Sequence, residues 1–282
     1  MEVRERIRFN GQPIDYDDFA DHFEVLWENV SRATGKSAPA IPNYPQMLVL
    51  FGLTWFCARQ PSVVFLEAGI GGRLDSTNVI SRPLAVGFTR IGLDHQKRLG
   101  DTVSKIACEK AGIIKSRCAV VTVPQELQAL QAIASKVEDI GCQQDLEIAE
   151  PCSEQDSYGN INLAMKLVEK VFQSRRTKEG RHDLNVSDML RVPDTHIPGR
   201  FESLRLYNHA WTLDVAHNQM SLVELGRKWT AKVQATCSGL VQLPHPPLFV
   251  FDAHTKRRQT TCSGLCATFY RRFSPLLGNS SA

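Results

Sequence analysis

Apolar and polar residues follow one another along this chain in two rhythms, and each change of rhythm marks an element. After Asp15, the positions Phe19, Phe23, Leu26, Trp27 and Val30 share one face of a helix. A loop follows over Lys36–Pro42. Pro45 suits the first turn of a second helix, apolar through Met47, Leu48, Leu50, Phe51, Leu53, Trp55 and Phe56. Val63-Val64-Phe65-Leu66 is a short apolar run ending at Glu67 and reads as a buried strand. Leu84–Phe88 and Ala119–Val123 read as two more, with a helix between them. Leu127, Leu130, Ile133 and Val137 mark a helix after the third. Buried strands alternating with helices predict an α/β fold, a parallel sheet covered on both faces.

Further along, Asn162, Leu163, Ala164, Leu167, Val168 and Val171 form another helix, and the polar, basic stretch Ser174–Ser187 reads as a linker. Leu204–Leu206 and Trp211–Leu213 pair as a hairpin across Asn208-His209, and Asn218 caps a helix running to about Lys228. The boundary falls near Val192. Residues 1–191 are expected to form the central domain, and residues 192–282 an incomplete smaller α/β domain. Its tail beyond Ala231, rich in Ser, Thr, Cys, Pro and Arg, is expected to be poorly structured, with Leu248–Phe251 as its one strand.

Composition narrows the class. A chain of 282 residues holds one large or two smaller domains. The net charge of +3 gives no case for nucleic-acid binding. The eight cysteines are scattered without a CxxC pair, which predicts reduced thiols. No apolar run reaches the length of a membrane span, and Met1–Arg8 is too charged for a secretory signal.

The most informative stretch runs from Gly92 to Lys115. Asp101 is a good N-cap and Gly112 can end the helix. Between them Val103, Ile106, Ala107 and Lys110 fall on one stripe, so Lys110 points toward the core. Burial there lowers a lysine's pKa and supplies an uncharged amine. A snorkelling lysine with its head in water is the plain alternative. Glu67 closes a strand before the glycine-rich turn Gly69–Gly72, and open α/β sheets place ligands at strand C-terminal ends. An ordinary turn is the alternative there. His95 follows the next strand beside Asp94, where it suits a metal. Arg200, after Pro198-Gly199, suits bidentate phosphate contact; Asp214 ends a strand and His217 begins a helix. Surface charge and capping would explain these three as well.

Five blocks carry a resemblance: Val3–Gly11, Glu67–Asn78, Gly92–Lys115, Pro198–Arg200 and Leu213–Asn218. In residues and in order they resemble the signatures of folylpolyglutamate synthases, ATP-dependent amide ligases related to the bacterial Mur ligases. The resemblance implies a Mur-ligase-like parallel sheet, ATP and Mg²⁺ as cofactors, reduced folate and L-glutamate as substrates, and an acyl-phosphate intermediate. It implies Glu67, His95 and Lys110 as Mg²⁺ ligands, His95 and Lys110 also serving catalysis, with CO₂ added to the Lys110 amine as a carbamate. It assigns Asn162, Arg200, Asp214 and His217 to ATP. Around Asn162 the chain departs from the family's Gln-x-x-Asn-Ala, with Gly159 and Leu163 in the flanking positions. A monomer in the cytoplasm or mitochondrial matrix is expected.

The family's P-loop is not found. Thr34-Gly35-Lys36-Ser37 is a decoy: Val30 stands where the upstream glycine belongs and Pro39 blocks the helix that would follow. The expectation is therefore a fragment, splice product or incorrect gene model, short at both ends. It would be weakly active or inactive alone, with an apolar sheet edge exposed. Dihydrofolate synthase is the near rival, and a Mur ligase acting on a cell-wall nucleotide a more distant one. A truncated, non-catalytic folate- or nucleotide-binding relative is the reading from another class. An RNA-binding tail at Arg257, Arg258, Arg271 and Arg272, with Phe269 and Tyr270 interleaved, is outweighed by a solvated tail.

Overall fold

Three four-to-three-residue strands align in parallel because helices of opposite faces bury both sides of them. The computed structural model describes residues 2–35, 41–141, 146–152, 159–179, 199–206 and 209–236. The chain divides into two units, Met1–His182 and Asp183–Ala282. The expected boundary near Val192, the P-loop decoy beyond Gly35 and everything after Thr236 lie outside the described residues.

In the first unit a short 3-10 turn (Val3–Arg6) leads into a two-stranded hairpin, β1 (Arg8–Phe9) and β2 (Gln12–Pro13). Its turn residues Asn10 and Gly11 both have positive φ, the conformation that an Asn-Gly hairpin turn requires. Helix α1 (Tyr16–Ala33) starts where Asp15 accepts from the amides of Asp17 and Asp18. Helix α2 (Tyr44–Arg59) starts with a capping box between Asn43 and Gln46. Ile7, Ile14, Leu26, Val30, Met47, Phe51 and Trp55 form their shared core. Phe23 and Trp27, placed by periodicity on the same face of α1, sit at the rim of this core, stacked on each other with Phe23 tilted against Phe51. Asp18 ties the helices together, accepting from Trp55 Nε1 at 3.1 Å and Arg59 at 2.5 Å.

The sheet is β3 (Ala85–Phe88), β4 (Ala119–Thr122) and β5 (Leu146–Ile148), in that order and parallel. On one face lie α4 (Val103–Ala111) and α5 (Leu127–Ile140), whose Ile106, Ala107, Ala129 and Ile133 are fully buried against Val120. On the other face Leu163 and Leu167 of α6 (Asn160–Glu179) cover Val121, Val123 and Ala149. The short helix α3 (Gln96–Leu99) precedes α4. Helix α6 runs to Glu179, so the predicted linker from Ser174 begins as helix.

The predicted strand Val63–Leu66 does not form. Among the described residues no strand lies beside it, so its backbone has no ladder to join, and Phe65 is 69% exposed. In the second unit β6 (Glu202–Leu206) and β7 (His209–Leu213) pair antiparallel, with Leu206 opposite His209. The connecting pair is therefore Tyr207 and Asn208, one residue earlier than expected, and it lies outside the described residues. Helix α7 (Gln219–Thr236) follows and outruns its expected end at Lys228. Among the described residues no helix is long and apolar enough to cross a membrane.

Candidate active site

The glycine-rich turn is organised by one carboxylate. Asp75 Oδ2 accepts from the amides of Gly69 (3.0 Å) and Ile70 (3.1 Å). Its Oδ1 accepts from the Thr77 amide (2.9 Å) and hydroxyl (2.7 Å), capping the 3-10 turn Ser76–Val79. Partial burial pushes this carboxyl up, but the hydrogen bonds from Thr77, Ile70 and Gly69 outweigh it and hold the group below its ordinary range.

This turn crosses the end of α4 backbone against backbone. A Cβ on Gly72 would stand 2.6 Å from Lys110 O and 3.0 Å from Glu109 O. A Cβ on Gly112 would run into Arg73, 2.7 Å from its Cα. Arg73 donates its amide to Glu109 O at 2.8 Å, and its guanidinium forks onto the Glu109 carboxylate at 2.9 and 3.1 Å. Asn78 Nδ2 completes the clasp, donating to Arg73 O (3.0 Å) and Gly112 O (3.2 Å).

Helix α4 begins at Thr102, whose hydroxyl accepts from Lys105 N at 3.2 Å. Asp101, the expected cap, instead pairs with the Lys105 ammonium at 2.8 Å. The stripe keeps its register: Ile106 and Ala107 are fully buried and Lys110 is half-buried one turn on. Burial holds the Lys110 amine below the ordinary lysine range, while the carboxylates of Asp94 and Asp75 pull the other way. These two acids thus act on the lysine from two different segments.

His95 sits at the N-terminal end of α3 in the left-handed region (φ 48°), uncommon for a residue with a side chain. Its amide donates to Asp94 Oδ1 at 2.7 Å, and its Nε2 lies 4.0 Å from Asp94 Oδ2. Glu67 is exposed, two residues before the Gly69 amide that Asp75 holds. The structure therefore brings the carboxylates of Asp75 and Asp94 to bear on Lys110 at the crossing; His95 follows Asp94 in the chain, and Glu67 lies on the segment before the turn. Asp94 as a neighbour of Lys110 and the Arg73–Glu109 pair escaped sequence reasoning; the glycines at 72 and 112 were the available signal for the crossing.

Among the described residues no three His, Cys, Asp or Glu side chains form a metal cluster. The donor chemistry still fits Mg²⁺, which takes one or two carboxylates and fills its octahedron with water and phosphate oxygens. An oxygen donor at Lys110 would require the carbamate, because an ammonium has no lone pair.

Asn162 Nδ2 donates to Glu150 O at 2.7 Å, tying the first turn of α6 to the stretch after β5. In the second unit Asp214 receives two backbone amides, Phe201 N on Oδ2 and Ala216 N on Oδ1, both at 2.8 Å. That bond fixes the residue after Arg200, with Phe201 at φ 51°. His217 Nδ1 lies 2.9 Å from Val215 O, an arrangement that leaves Nε2 as the acceptor when Nδ1 carries the proton. Asn218 Oδ1 accepts from Ser221 N at 2.9 Å and caps α7 as expected.

This parallel sheet with helices on both faces is a Mur-ligase-like α/β fold. The apo form of L. casei FPGS superposes with a TM-score of 0.71 at 20% identity, over 99% of this chain and 82% of that one. An FPGS–AMPPCP–folate complex reaches 0.77 at 21% identity, over 99% of this chain and 70% of that one. No family model matches the sequence. The probable folylpolyglutamate synthase of Schizosaccharomyces pombe is 31% identical over 237 residues, 79% of this chain and 46% of that protein. The mitochondrial folylpolyglutamate synthase of Bos taurus is 32% identical over 255 residues, 79% of this chain and 43% of that protein. The chain belongs to the folylpolyglutamate synthase family, and it spans less than half the length of these curated relatives.

Proposed function

We propose that this chain serves the ATP-dependent addition of L-glutamate to reduced folates. In that reaction the γ-phosphoryl group of ATP passes to a folate carboxylate, the glutamate amine attacks the acyl phosphate, and inorganic phosphate leaves. The observation that carries the reading is the Lys110 amine, half-buried where the glycine-rich turn crosses α4 and faced by Asp94 and Asp75. A depressed pKa raises the fraction of neutral amine, the only form that adds CO₂. The resulting carbamate would be an anionic oxygen donor on the side that Asp94 and Asp75 face.

In this reading Glu67, His95 and the Lys110 carbamate hold Mg²⁺. When bound, the ion neutralises phosphate charge. Asp75 and the Arg73–Glu109–Asn78 clasp keep the turn against the lysine helix. Arg200, His217 and Asn162 contact ATP. Asp214 is assigned to the nucleotide as well, while it fixes the turn that follows Arg200. The enzyme is proposed to be a monomer of the cytoplasm or mitochondrial matrix.

The test uses the full chain with ¹³C-bicarbonate. A carbamate resonance is expected in the wild type and lost in Lys110→Arg, together with ADP release that requires both tetrahydrofolate and glutamate. Absence of the resonance, with ADP release indifferent to folate, overturns the reading.

A further inference from the structure

We propose that Gln125 is a positioning residue for His95, acting through the loop that carries it; the inference rests on the reading of His95 as a metal-holding side chain. The β3–β4 ladder ends with the Val123 amide donating to Phe88 O at 3.0 Å. Past that point the loop Thr89–Asp94 pairs with no strand among the described residues, and the Gln125 side chain takes a strand's place. Its Oε1 accepts from the Ile91 amide at 2.9 Å, and its Nε2 donates to Thr89 O at 2.9 Å. The planar amide thus presents one acceptor and one donor to alternate backbone groups, as a neighbouring strand would.

The amide is itself held. Nε2 also donates to Thr122 Oγ1 at 3.0 Å, and that hydroxyl belongs to a fully buried threonine that donates to Val123 O at 3.0 Å. Ile91, pinned by its amide, buries its side chain in the core with Ile106 and Ala107. Three residues later the chain reaches Asp94, whose carboxylate takes the His95 amide, and His95 itself in the left-handed region. A left-handed residue with a bulky side chain persists only where its surroundings over-determine it. Gln125 is the anchor at the near end of that loop.

Only glutamine meets all three bonds at this reach. Glutamate keeps the acceptor for Ile91 but sets a carboxylate against Thr89 O. Methionine keeps the volume and offers neither donor nor strong acceptor.

The experiment compares wild type, Gln125→Glu, Gln125→Met and Ile133→Val, the last a mild change in the same core that removes none of the Gln125 bonds. Backbone amide exchange is read without metal, and Mn²⁺ affinity by electron paramagnetic resonance. In both Gln125 variants the His95 amide is expected to lose protection while Val120 and Val121 keep theirs. Mn²⁺ affinity is expected to fall about tenfold, as when the partner orienting a metal ligand is removed. Ile133→Val lowers the melting temperature and leaves both readouts unchanged. Unchanged His95 exchange in Gln125→Met overturns the proposal, as does an equal loss in Ile133→Val. If the wild type takes up no Mn²⁺, the ligase reading has failed, and the metal-free exchange still decides the role of Gln125.

Discussion

Val63–Leu66 and strand β4 are built from the same kinds of residue and occupy opposite environments. Val120 and Val121 of β4 are fully buried, with β3 on one side, β5 on the other and helices on both faces. Phe65 and Leu66 are exposed and pair with no strand among the described residues. Apolar composition makes a segment able to enter a sheet; neighbours that accept its backbone hydrogen bonds decide whether it does. Glu67, at the end of the exposed run, therefore lacks the fixed footing that β3 and β4 give to the loops carrying His95 and Gln125.

The largest expected effect contrasts one charge in the two runs. Val121→Asp places a carboxylate in a dry core and should cost at least about 4 kcal/mol, unfolding the first unit. Phe65→Asp should change stability by less than about 0.5 kcal/mol. Urea titration of both variants reads the difference, and similar losses would break the comparison.

A medium effect probes how the turn after the exposed run is held. Gly72→Ala drives a Cβ into the Lys110 and Glu109 carbonyls and should cost about 1–3 kcal/mol. Gly69→Ala meets only Asp75 Oδ2 at an ordinary 3.4 Å and should be near neutral. Thermal melts of the pair locate the tight point of the turn.

The smallest effect sits at Lys110. Its folded pKa lies below the unfolded value near 10.5, so the folded state binds fewer protons between the two values. Stability then rises with pH through that window, and below it the full cost of the buried cation is present. Lys110→Met in CO₂-free buffer should stabilise the chain at neutral pH by at most about 1 kcal/mol, since solvent still reaches the side chain. The gain should vanish as pH approaches 10.5. A melting temperature lowered by the substitution, or a gain that grows with pH, would show that the lysine is not desolvated.

Much of the frame was legible because it is written in local periodicity. Helices α1, α2 and α5, strands β3 and β4, and the stripe that turns Lys110 inward all follow from spacing and caps. What escaped depends on partners distant in the chain. Three-residue β5 carries no period of its own. Thr102 and Asp101 are equally good caps by type, and only reach to the Lys105 amide separates them. The left-handed turn at His95 leaves no trace in periodicity, and the amide ladder of Gln125 comes from contacts more than thirty residues apart in the chain, roughly the separation of neighbouring strands in a βαβ unit. For the proposed site, Glu67, His95 and Lys110 could be singled out by type and resemblance; the nearness of Asp94 and Asp75 to Lys110 could not.

Gly72 faces main chain rather than side chain, and that limits what evolution can do with it. Where two side chains collide, one can shrink to make room for the other. Opposite Gly72 lie the main-chain oxygens of Lys110 and Glu109, which cannot shrink, so a methyl gained there finds no compensating mutation against them. Random drift at Gly72 is met by displacement of the main chain, and with it of Lys110 itself.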